Sequence, residues 1–300
     1  MSSAMRQAAC ARQQASRQAR EWLAAHTRIR GEAHEALAAL APVLLARVLH
    51  GAGAAICIGG PPGCGKSTLA RLLCFLLAEC GRPAVRLSLD DYYLDRRQRK
   101  RVSGRVHPLL QQRGVPGTHD WSGLMDDLDF LLAGSTARLE LRVFDKSRDK
   151  PAPIAAWRTV RQPVEFVLLE GWCLGVPPQA ASALVAPGNP LEAEQDPEAG
   201  WRRFVNDRLG LYHRDLAARI ERYWYLAAPD WNCVVDWRWQ QEQELDRQLL
   251  RDREAVAAFL QPFRRIVRHA QATAVNWASY LLQADPGHRL NIPAGLVERR

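Results

Sequence analysis

The chain has 300 residues, of which 47% are hydrophobic and 24% are charged. That apolar content is enough for a buried core, in one large α/β domain with appendages or in two small domains. The formal net charge of +9 suits nucleic acids and small anionic substrates equally well, so it selects neither. The richest apolar run, residues 72–78, is far shorter than the roughly 18 residues of a membrane span, and we expect no membrane association.

The cysteines point to a reducing compartment. There are seven, an odd number, with no CxxC pair and no His/Cys spacing typical of a zinc site. We predict reduced thiols in a cytoplasmic protein. Four arginines precede the first acid, Glu21. They loosely resemble a mitochondrial transit segment, but an Arg-rich surface helix accounts for them as well.

The N-terminal part of the chain is predicted to be helical. Residues 4–48 are rich in Ala, Arg, Gln and Leu at helical spacing, with breaks near Gly31 and Pro42, which indicates two or three helices. A short apolar run at residues 54–58, bounded by glycines, then has the character of a buried parallel strand. We therefore predict an N-terminal helical extension, residues 1–52, followed by a P-loop domain, residues 53–300.

Strands and helices alternate through this domain. The alternation predicts a three-layer α/β/α fold with a mostly parallel central sheet, crossover helices and additional helices at both termini. A Pro/Gly-rich stretch from Gly175 to Gly200 is predicted to pass over the active-site face. Further strands are predicted at 84–89, 139–144, 165–169 and 222–227, and helices at 67–80, 124–132, 204–220, 240–263 and 269–282.

The strongest motif lies directly after the first predicted strand. Residues 60–67 match GxxxxGK[ST], and a predicted helix follows at once, which is the context that this phosphate-binding loop requires. Its glycines let backbone N–H groups turn toward the phosphates of ATP. Lys66 is predicted to reach the β- and γ-phosphates, and the Ser67 hydroxyl to bind Mg²⁺. The predicted nucleotide-binding residues are Gly60, Pro61, Pro62, Gly63, Cys64, Gly65, Lys66, Ser67 and Thr68.

Two predicted strands end in acids. Glu170 follows the strand at 165–169 and is the predicted acid on the metal side, binding Mg²⁺ through water. Asp90 and Asp91 follow the strand at 84–89. Ligands of open parallel sheets bind at the carboxyl ends of the strands, so an acid there suits the base of a phosphoryl acceptor. The chain has no NKxD motif and no DxxG after the second strand, which argues against a GTPase switch.

Several blocks of sequence resemble known kinases. Residues 88–93, Ser-Leu-Asp-Asp-Tyr-Tyr, resemble the second-strand motif of the uridine kinase, phosphoribulokinase and pantothenate kinase group. Five further blocks, spread in order along about Ile56 to about Leu250, are similar to the signature of the D-glycerate 3-kinase family. They are His-Pro-Leu-Leu at 107–110, Arg-Gly-Val-Pro-Gly-Thr-His-Asp at 113–120, Phe-Asp-Lys-Ser at 144–147, Glu-Gly-Trp-Cys-Leu-Gly at 170–175 and Trp-Arg-Trp-Gln-Gln-Glu at 237–242.

The resemblance implies an ATP- and Mg²⁺-dependent kinase that converts D-glycerate to 3-phospho-D-glycerate. In the related kinases the first acid after the second strand accepts the proton of the attacking hydroxyl, which places Asp90 in that role and leaves Asp91 as the competitor. After Ser147 the chain is shorter than the plant-type pattern and continues Arg148-Asp149-Lys150-Pro151. The contacts of this loop therefore do not follow from the resemblance.

The acceptor is predicted to bind near a Gly/Pro-rich loop. Arg113 would clamp a carboxylate with two hydrogen bonds, and Asp120 would hold a hydroxyl or cap the next helix. His119 would bind the carboxylate or a hydroxyl, or help to cap that helix. Asp145 and Lys146 would face phosphate or substrate, or form a surface ion pair. Arg202 and Arg203 are candidates for a lid over the phosphoryl group. The basic run at 96–101 is interpreted as a solvated helix face.

Two other functions compete with a glycerate kinase. One is a related P-loop kinase that acts on another hydroxyl, of the nucleoside or pantothenate type. The other is a non-catalytic ATP-binding regulatory or nucleic-acid-associated protein that uses the basic run. We expect a small-molecule substrate and no nucleic-acid or membrane partner, and the sequence does not determine the oligomeric state.

Overall fold

A computed structural model describes residues 3–51, 53–160, 163–244 and 252–293. Its centre is one sheet, which among these residues has six strands in the order β10-β9-β8-β1-β7-β2. All neighbours are parallel except β9 and β10. These strands are β1 Ala55–Gly59, β2 Ala84–Ser88, β7 Phe166–Glu170, β8 Arg222–Ala227, β9 Tyr280–Ala284 and β10 Leu290–Asn291.

Helices flank this sheet, and the predicted three-layer α/β/α fold is confirmed. Every residue of β1 and β7 is buried, as uninterrupted apolar runs at the centre of a parallel sheet require. The helices are α1 Ser3–His26, α2 Gly31–His50, α3 Lys66–Glu79, α4 Arg96–Arg105, α5 Trp121–Leu132, α6 Pro190–Gln195, α7 Gly200–Ala217, α8 Trp231–Gln243 and α9 Arg253–Trp277.

The predicted strand at 139–144 does not join the central sheet. Its residues form β3 (Leu139–Leu141) and the start of β4 (Phe144–Asp145), which pair antiparallel with β6 (Arg158–Val160) and β5 (Lys150–Pro151). Antiparallel partners need only a short connection, so the chain folds back on itself without a crossover helix. Residues 139–160 thus contain two short antiparallel strand pairs outside the central sheet and are here called the hairpin arm.

The N-terminal helices pack together and onto α3. α2 continues through Pro42, where a break was predicted, because Leu37, Leu44 and other apolar residues on one face anchor it in the core despite the lost backbone hydrogen bond. Of the described helices, α2 alone is long and apolar enough to cross a membrane, contrary to the expectation from sequence. This is weak evidence, because a core helix passes the same test. The predicted boundary between an N-terminal helical extension and the main domain, at residue 52, stays a prediction.

The C-terminal helices begin at aspartates that the sequence analysis did not recognise as caps. Asp230 accepts from the Cys233 N–H and starts α8, and Asp252 accepts from the Ala255 N–H and starts α9, both at 2.8 Å. The single helix predicted at 240–263 is therefore wrong at both ends, and its residues 245–251 lie outside the described part. The helix predicted at 269–282 is correct for residues 269–277, which are the end of α9, and wrong after Trp277, where β9 follows at Tyr280.

Arg202 belongs to the interior and is not a lid residue, which corrects the prediction from its position. Its side chain and that of Asp196 are each 1% exposed, and they form an ion pair of 2.9 Å. The guanidinium also donates to the carbonyls of Leu184 and Val185, so it ties the segment before α6 to the start of α7. A buried guanidinium satisfied in this way holds structure together.

We predict that Asp196→Ala lowers the free energy of unfolding by about 3–5 kcal/mol, because Arg202 then remains buried without its counter-charge. Urea denaturation measures the change. Glu21→Ala is the matched control, since the ion pair of Glu21 with Arg17 has side chains 68% and 73% exposed, and it should change stability by about 0.5 kcal/mol or less. Equal effects of the two substitutions would contradict this assignment.

Candidate phosphate and acceptor site

The phosphate-binding loop connects the carboxyl end of β1 to α3. Gly60 to Gly65 form the turn, and Lys66, Ser67 and Thr68 open the helix. Two glycines are required by the backbone. Gly63 has φ +84°, and a Cβ there would lie 2.8 Å from the Cβ of Trp237. Gly65 has φ +93° and nothing within 4 Å of its missing Cβ, so the loop keeps an open face at the helix N-terminus.

Lys66 lies folded over its own loop. The residue is 8% exposed, and its ammonium donates to the Pro61 carbonyl at 2.8 Å. Its neighbour Cys64 is buried, and burial raises the pKa of that thiol. The lysine therefore supplies a cation within the loop itself, and the cysteine is an inert packing residue there.

Glu170 is the centre of a buried hydrogen-bond cluster. Its Oε1 atom accepts from the Ser67 hydroxyl at 2.8 Å, the Ser88 hydroxyl at 2.8 Å and Arg86 Nη1 at 3.1 Å, while the residue is 3% exposed. Hydroxyl and carboxylate oxygens are the ligands that Mg²⁺ prefers, so Ser67 and Glu170 fit that ion. Arg86 was not among the residues predicted from the sequence, although side-chain alternation along β2 puts it on the same face as Ser88.

Asp90 and Asp91 do not continue β2. Residues 89–92 form a 3₁₀ helix, so the two acids point to different partners instead of alternating along a strand. Asp90 accepts from the Tyr93 hydroxyl at 2.8 Å and from the Lys146 ammonium at 2.6 Å. Asp91 accepts from the Phe144 N–H at 3.3 Å and lies 3.8 Å from Arg86.

The pKa values of the two acids are shifted in opposite directions. Burial alone would raise the pKa of Asp90, but the charge and hydrogen bond of Lys146 outweigh it and hold that pKa well below its ordinary value. Burial raises the pKa of Asp91, because Arg86 compensates it only in part. At neutral pH Asp90 is therefore a carboxylate held by an ammonium.

Arg113 lies beside the same tyrosine. Its guanidinium is 6.0 Å from the ring centre of Tyr93 and 5.8 Å from that of Phe144, and Nη1 donates to Asp149 at 2.6 Å. The ring of His119 stacks on Tyr93, with centroids 4.8 Å apart. Three predicted residues, Asp90, Arg113 and His119, are thus gathered around one tyrosine that the sequence analysis did not single out.

His119 is a buried, neutral imidazole. Its Nδ1 lies 3.2 Å from the Tyr212 hydroxyl, and its Nε2 is buried with no hydrogen-bond partner among the residues described. Burial lowers the pKa of His119 to about 3. It therefore contributes shape and hydrogen-bonding capacity at neutral pH, without positive charge.

The remaining predicted acids already have local partners. Asp120 caps α5 by accepting from the Gly123 N–H at 3.2 Å, and it pairs with Arg142. Asp145 accepts from the N–H groups of Ser147 and Arg148 and so closes a turn in the hairpin arm. Both acids accept hydrogen bonds from nearby backbone N–H groups in this structure, and their role in binding an acceptor stays a prediction.

The carboxyl edge of the sheet brings these groups together. β2 and β7 place Ser88 beside Glu170, and Asp90 follows two residues later. Lys146 reaches this edge from the hairpin arm, and the pKa of its ammonium is raised, mainly by the charge of Asp90 and also by that of Glu170. A phosphate-binding loop therefore lies beside a carboxylate–ammonium pair, which is an arrangement for phosphoryl transfer.

Fold and site together define a P-loop kinase, and comparisons with known proteins agree. No protein-family profile matches the chain. The uncharacterized kinase mug58 of Schizosaccharomyces pombe is 30% identical over 195 residues, 63% of this chain and 69% of that protein. The chloroplastic D-glycerate 3-kinase of Arabidopsis thaliana is 30% identical over 192 residues, 61% of this chain but only 39% of that protein. The chain belongs to the D-glycerate 3-kinase family of P-loop kinases.

Solved structures support the fold. The YGR205w protein superposes with a TM-score of 0.65 at 23% identity, covering 87% of this chain and 96% of that one. A D-glycerate 3-kinase from Cryptococcus neoformans gives a TM-score of 0.59 at 21% identity, covering 84% of this chain and 96% of the other. At these identities the likeness establishes the fold alone.

We predict that Lys146→Met raises the pKa of Asp90, because the charge and the hydrogen bond of the ammonium are lost. The carbon-13 shift of the Asp90 carboxyl group, followed from about pH 4 to 8, should titrate in the variant and stay flat in the wild type. Arg148→Met removes an exposed charge from the same loop and should leave the shift flat. A flat profile in the Lys146 variant would contradict the assignment.

Proposed function

We propose that the protein transfers the γ-phosphoryl group of ATP to D-glycerate and forms 3-phospho-D-glycerate. One observation carries the proposal: an ionised carboxylate accepts a hydrogen bond from the hydroxyl of a tyrosine, and an arginine lies over the ring of the same tyrosine. The Tyr93 hydroxyl binds Asp90, and the Tyr93 ring faces Arg113. An acceptor that has a hydroxyl and a carboxylate a few atoms apart matches this spacing. The names of the Arabidopsis and Cryptococcus relatives support the same substrate.

The nucleotide would bind across the open face of the loop. Backbone N–H groups at the start of α3 would bind the phosphates, and the Lys66 ammonium would leave the Pro61 carbonyl to reach the β- and γ-oxygens. Ser67, and Glu170 through water, would hold Mg²⁺, which when bound neutralises developing charge on the phosphoryl oxygens. Arg86 would remain as a second counter-charge for Glu170.

Asp90 would orient the attacking hydroxyl and accept its proton. Its depressed pKa keeps it ionised at neutral pH but makes it a weak base. Phosphoryl transfer through a loose transition state depends mainly on positioning, so a weak base suffices when it aligns the nucleophile. Lys146 would hold the carboxylate in place, and neutral His119 would line the acceptor site beside Tyr93.

The basic run does not favour a nucleic-acid-binding protein. Arg99 is buried and donates to the carbonyls of Leu94 and Gln111, while Arg96 pairs with Asp149. Arg99 therefore belongs to the interior, while the exposed basic residues of α4 form the solvated helix face that the sequence predicts. The main alternative is a kinase of the pantothenate type, whose acceptor also carries a carboxylate.

A cytoplasmic location is supported by the cysteines, because all seven are free thiols.

Product identification tests the proposal. Purified protein is incubated with ATP, Mg²⁺ and a panel comprising D-glycerate, L-glycerate, glycerol, pantothenate and uridine, and products are identified by mass spectrometry and phosphorus NMR. We expect 3-phospho-D-glycerate, and no product with Ser67→Ala, which lacks the hydroxyl ligand. Faster phosphorylation of pantothenate or uridine would show that this compound, and not D-glycerate, is the substrate. Absence of any product would overturn the proposed catalysis by this protein.

We predict that Asp90→Asn lowers kcat by about 10²–10⁴-fold while leaving ATP affinity nearly unchanged, because the amide cannot accept the hydroxyl proton. Asp91→Asn should reduce kcat far less, since Asp91 binds a backbone N–H and Arg86. Steady-state kinetics and nucleotide titration measure both effects. A larger loss of kcat in the Asp91 variant would identify Asp91, and not Asp90, as the base.

We predict that Arg113→Lys raises the KM for D-glycerate at least about tenfold and that for ATP little, because an ammonium cannot reproduce two-point binding of a carboxylate. Initial rates at varied concentrations of each substrate separate the two constants. Equal increases in both KM values would place Arg113 at the nucleotide or in the scaffold.

A further inference from the structure

Asp149 is the carboxylate at the centre of an arginine cluster. Its Oδ2 accepts from Arg96 Nε at 2.9 Å and Arg99 Nη2 at 2.5 Å, and its Oδ1 accepts from Arg113 Nη1 at 2.6 Å. The residue lies in the shortened loop after Ser147 and has φ +53°, a left-handed conformation that aspartate tolerates better than most residues. Three cations therefore converge on one acid in a loop that the family resemblance left undetermined.

One side of the cluster is fixed. The Arg99 side chain is 3% exposed, and its guanidinium also donates to the carbonyls of Leu94 at 2.6 Å and Gln111 at 2.9 Å. Arg99 cannot follow a moving ligand without breaking these bonds. Asp149, 14% exposed, is thereby anchored to the body of the protein.

The other side of the cluster keeps unused donors. Among the described residues, Asp149 is the only hydrogen-bond acceptor of Arg113, through Nη1 alone. The Nη2 and Nε groups of Arg113 therefore remain available, while the rings of Tyr93 and Phe144 limit where the guanidinium plane can turn. A guanidinium with one edge bound and one edge available is preorganised for a second carboxylate.

We propose that Asp149 is a positioning residue for the acceptor's carboxylate, acting through Arg113. It holds one nitrogen of Arg113 so that the remaining N–H groups face the acceptor. The same loop carries Lys146, which holds Asp90, so one short segment sets both the carboxylate-binding group and the base. The inference rests on the proposed function in taking the acceptor to be an acid, and it adds a residue that binds neither substrate.

Asp149→Asn tests the proposal without a change of size or backbone tolerance, since asparagine also adopts left-handed conformations. Its amide oxygen can stay on Arg99, which leaves Arg113 without a carboxylate partner. We expect the KM for the carboxylate acceptor to rise about tenfold, with kcat and the KM for ATP within about twofold of wild type. Arg148→Ala, which removes an exposed positive charge one residue away, should leave all three constants unchanged.

A double-variant cycle separates positioning from general loss of structure. If Asp149 acts through Arg113, adding Asp149→Asn to Arg113→Ala should not raise the acceptor KM further. Independent, multiplicative effects would overturn the proposal, as would a lower acceptor KM in Asp149→Asn, which would make Asp149 a competitor of the substrate. A parallel rise in the KM for ATP would also overturn it.

The acceptor used is the compound that the wild-type protein phosphorylates fastest in the panel. If that compound is pantothenate and its KM rises in Asp149→Asn, the proposed substrate fails and the positioning role stands. If D-glycerate is phosphorylated but its KM is unchanged in the variant, the positioning role alone fails. If the preferred acceptor is uncharged, both fail together.

Discussion

The site depends on one buried carboxylate, Glu170, at the carboxyl end of β7, the strand between β1 and β2. A buried charge is costly unless it is paired and hydrogen-bonded. Here a single oxygen accepts from Ser67, Ser88 and Arg86, which come from the first turn of α3 and the end of β2. The acid therefore fixes the phosphate-binding loop, the helix behind it and the strand that leads to Asp90 in one arrangement.

Much of this arrangement could be predicted where the signal is local. The strand at 222–227 matches β8 in full, the one at 84–89 is one residue longer than β2, and the one at 165–169 is displaced by one residue from β7. Buried parallel strands are short apolar runs, which makes them recognisable. The hairpin arm could not be predicted, since alternation indicates a strand but not its partner. The helix at 240–263 failed because apolar spacing continued past the cap at Asp252.

The site was predictable to a similar degree. The loop motif and the acids at strand ends follow from spacing, whereas the roles of Arg86 and Asp149 depend on contacts across 84 and 36 residues of sequence. In a chain with 41 basic residues, composition cannot indicate which arginine meets which acid. Arg202 shows the same limit, because its position before a helix suggested a lid, and its burial shows an internal tie.

The pairing of charges explains how a basic protein can carry an orderly anion site. The acids at this edge are paired with cations: Glu170 and Asp91 share Arg86, Asp90 has Lys146, and Asp149 has Arg113 together with Arg96 and Arg99. The cations are therefore already oriented before an anionic ligand binds, so binding would not require the conformational entropy cost of ordering mobile side chains. Two of the cations keep unused donors: Lys66, folded over the phosphate-binding loop, and Arg113, beside Tyr93. On the proposed function, Lys66 would serve the nucleotide and Arg113 the small acid, so the two ligands would not compete for one counter-charge.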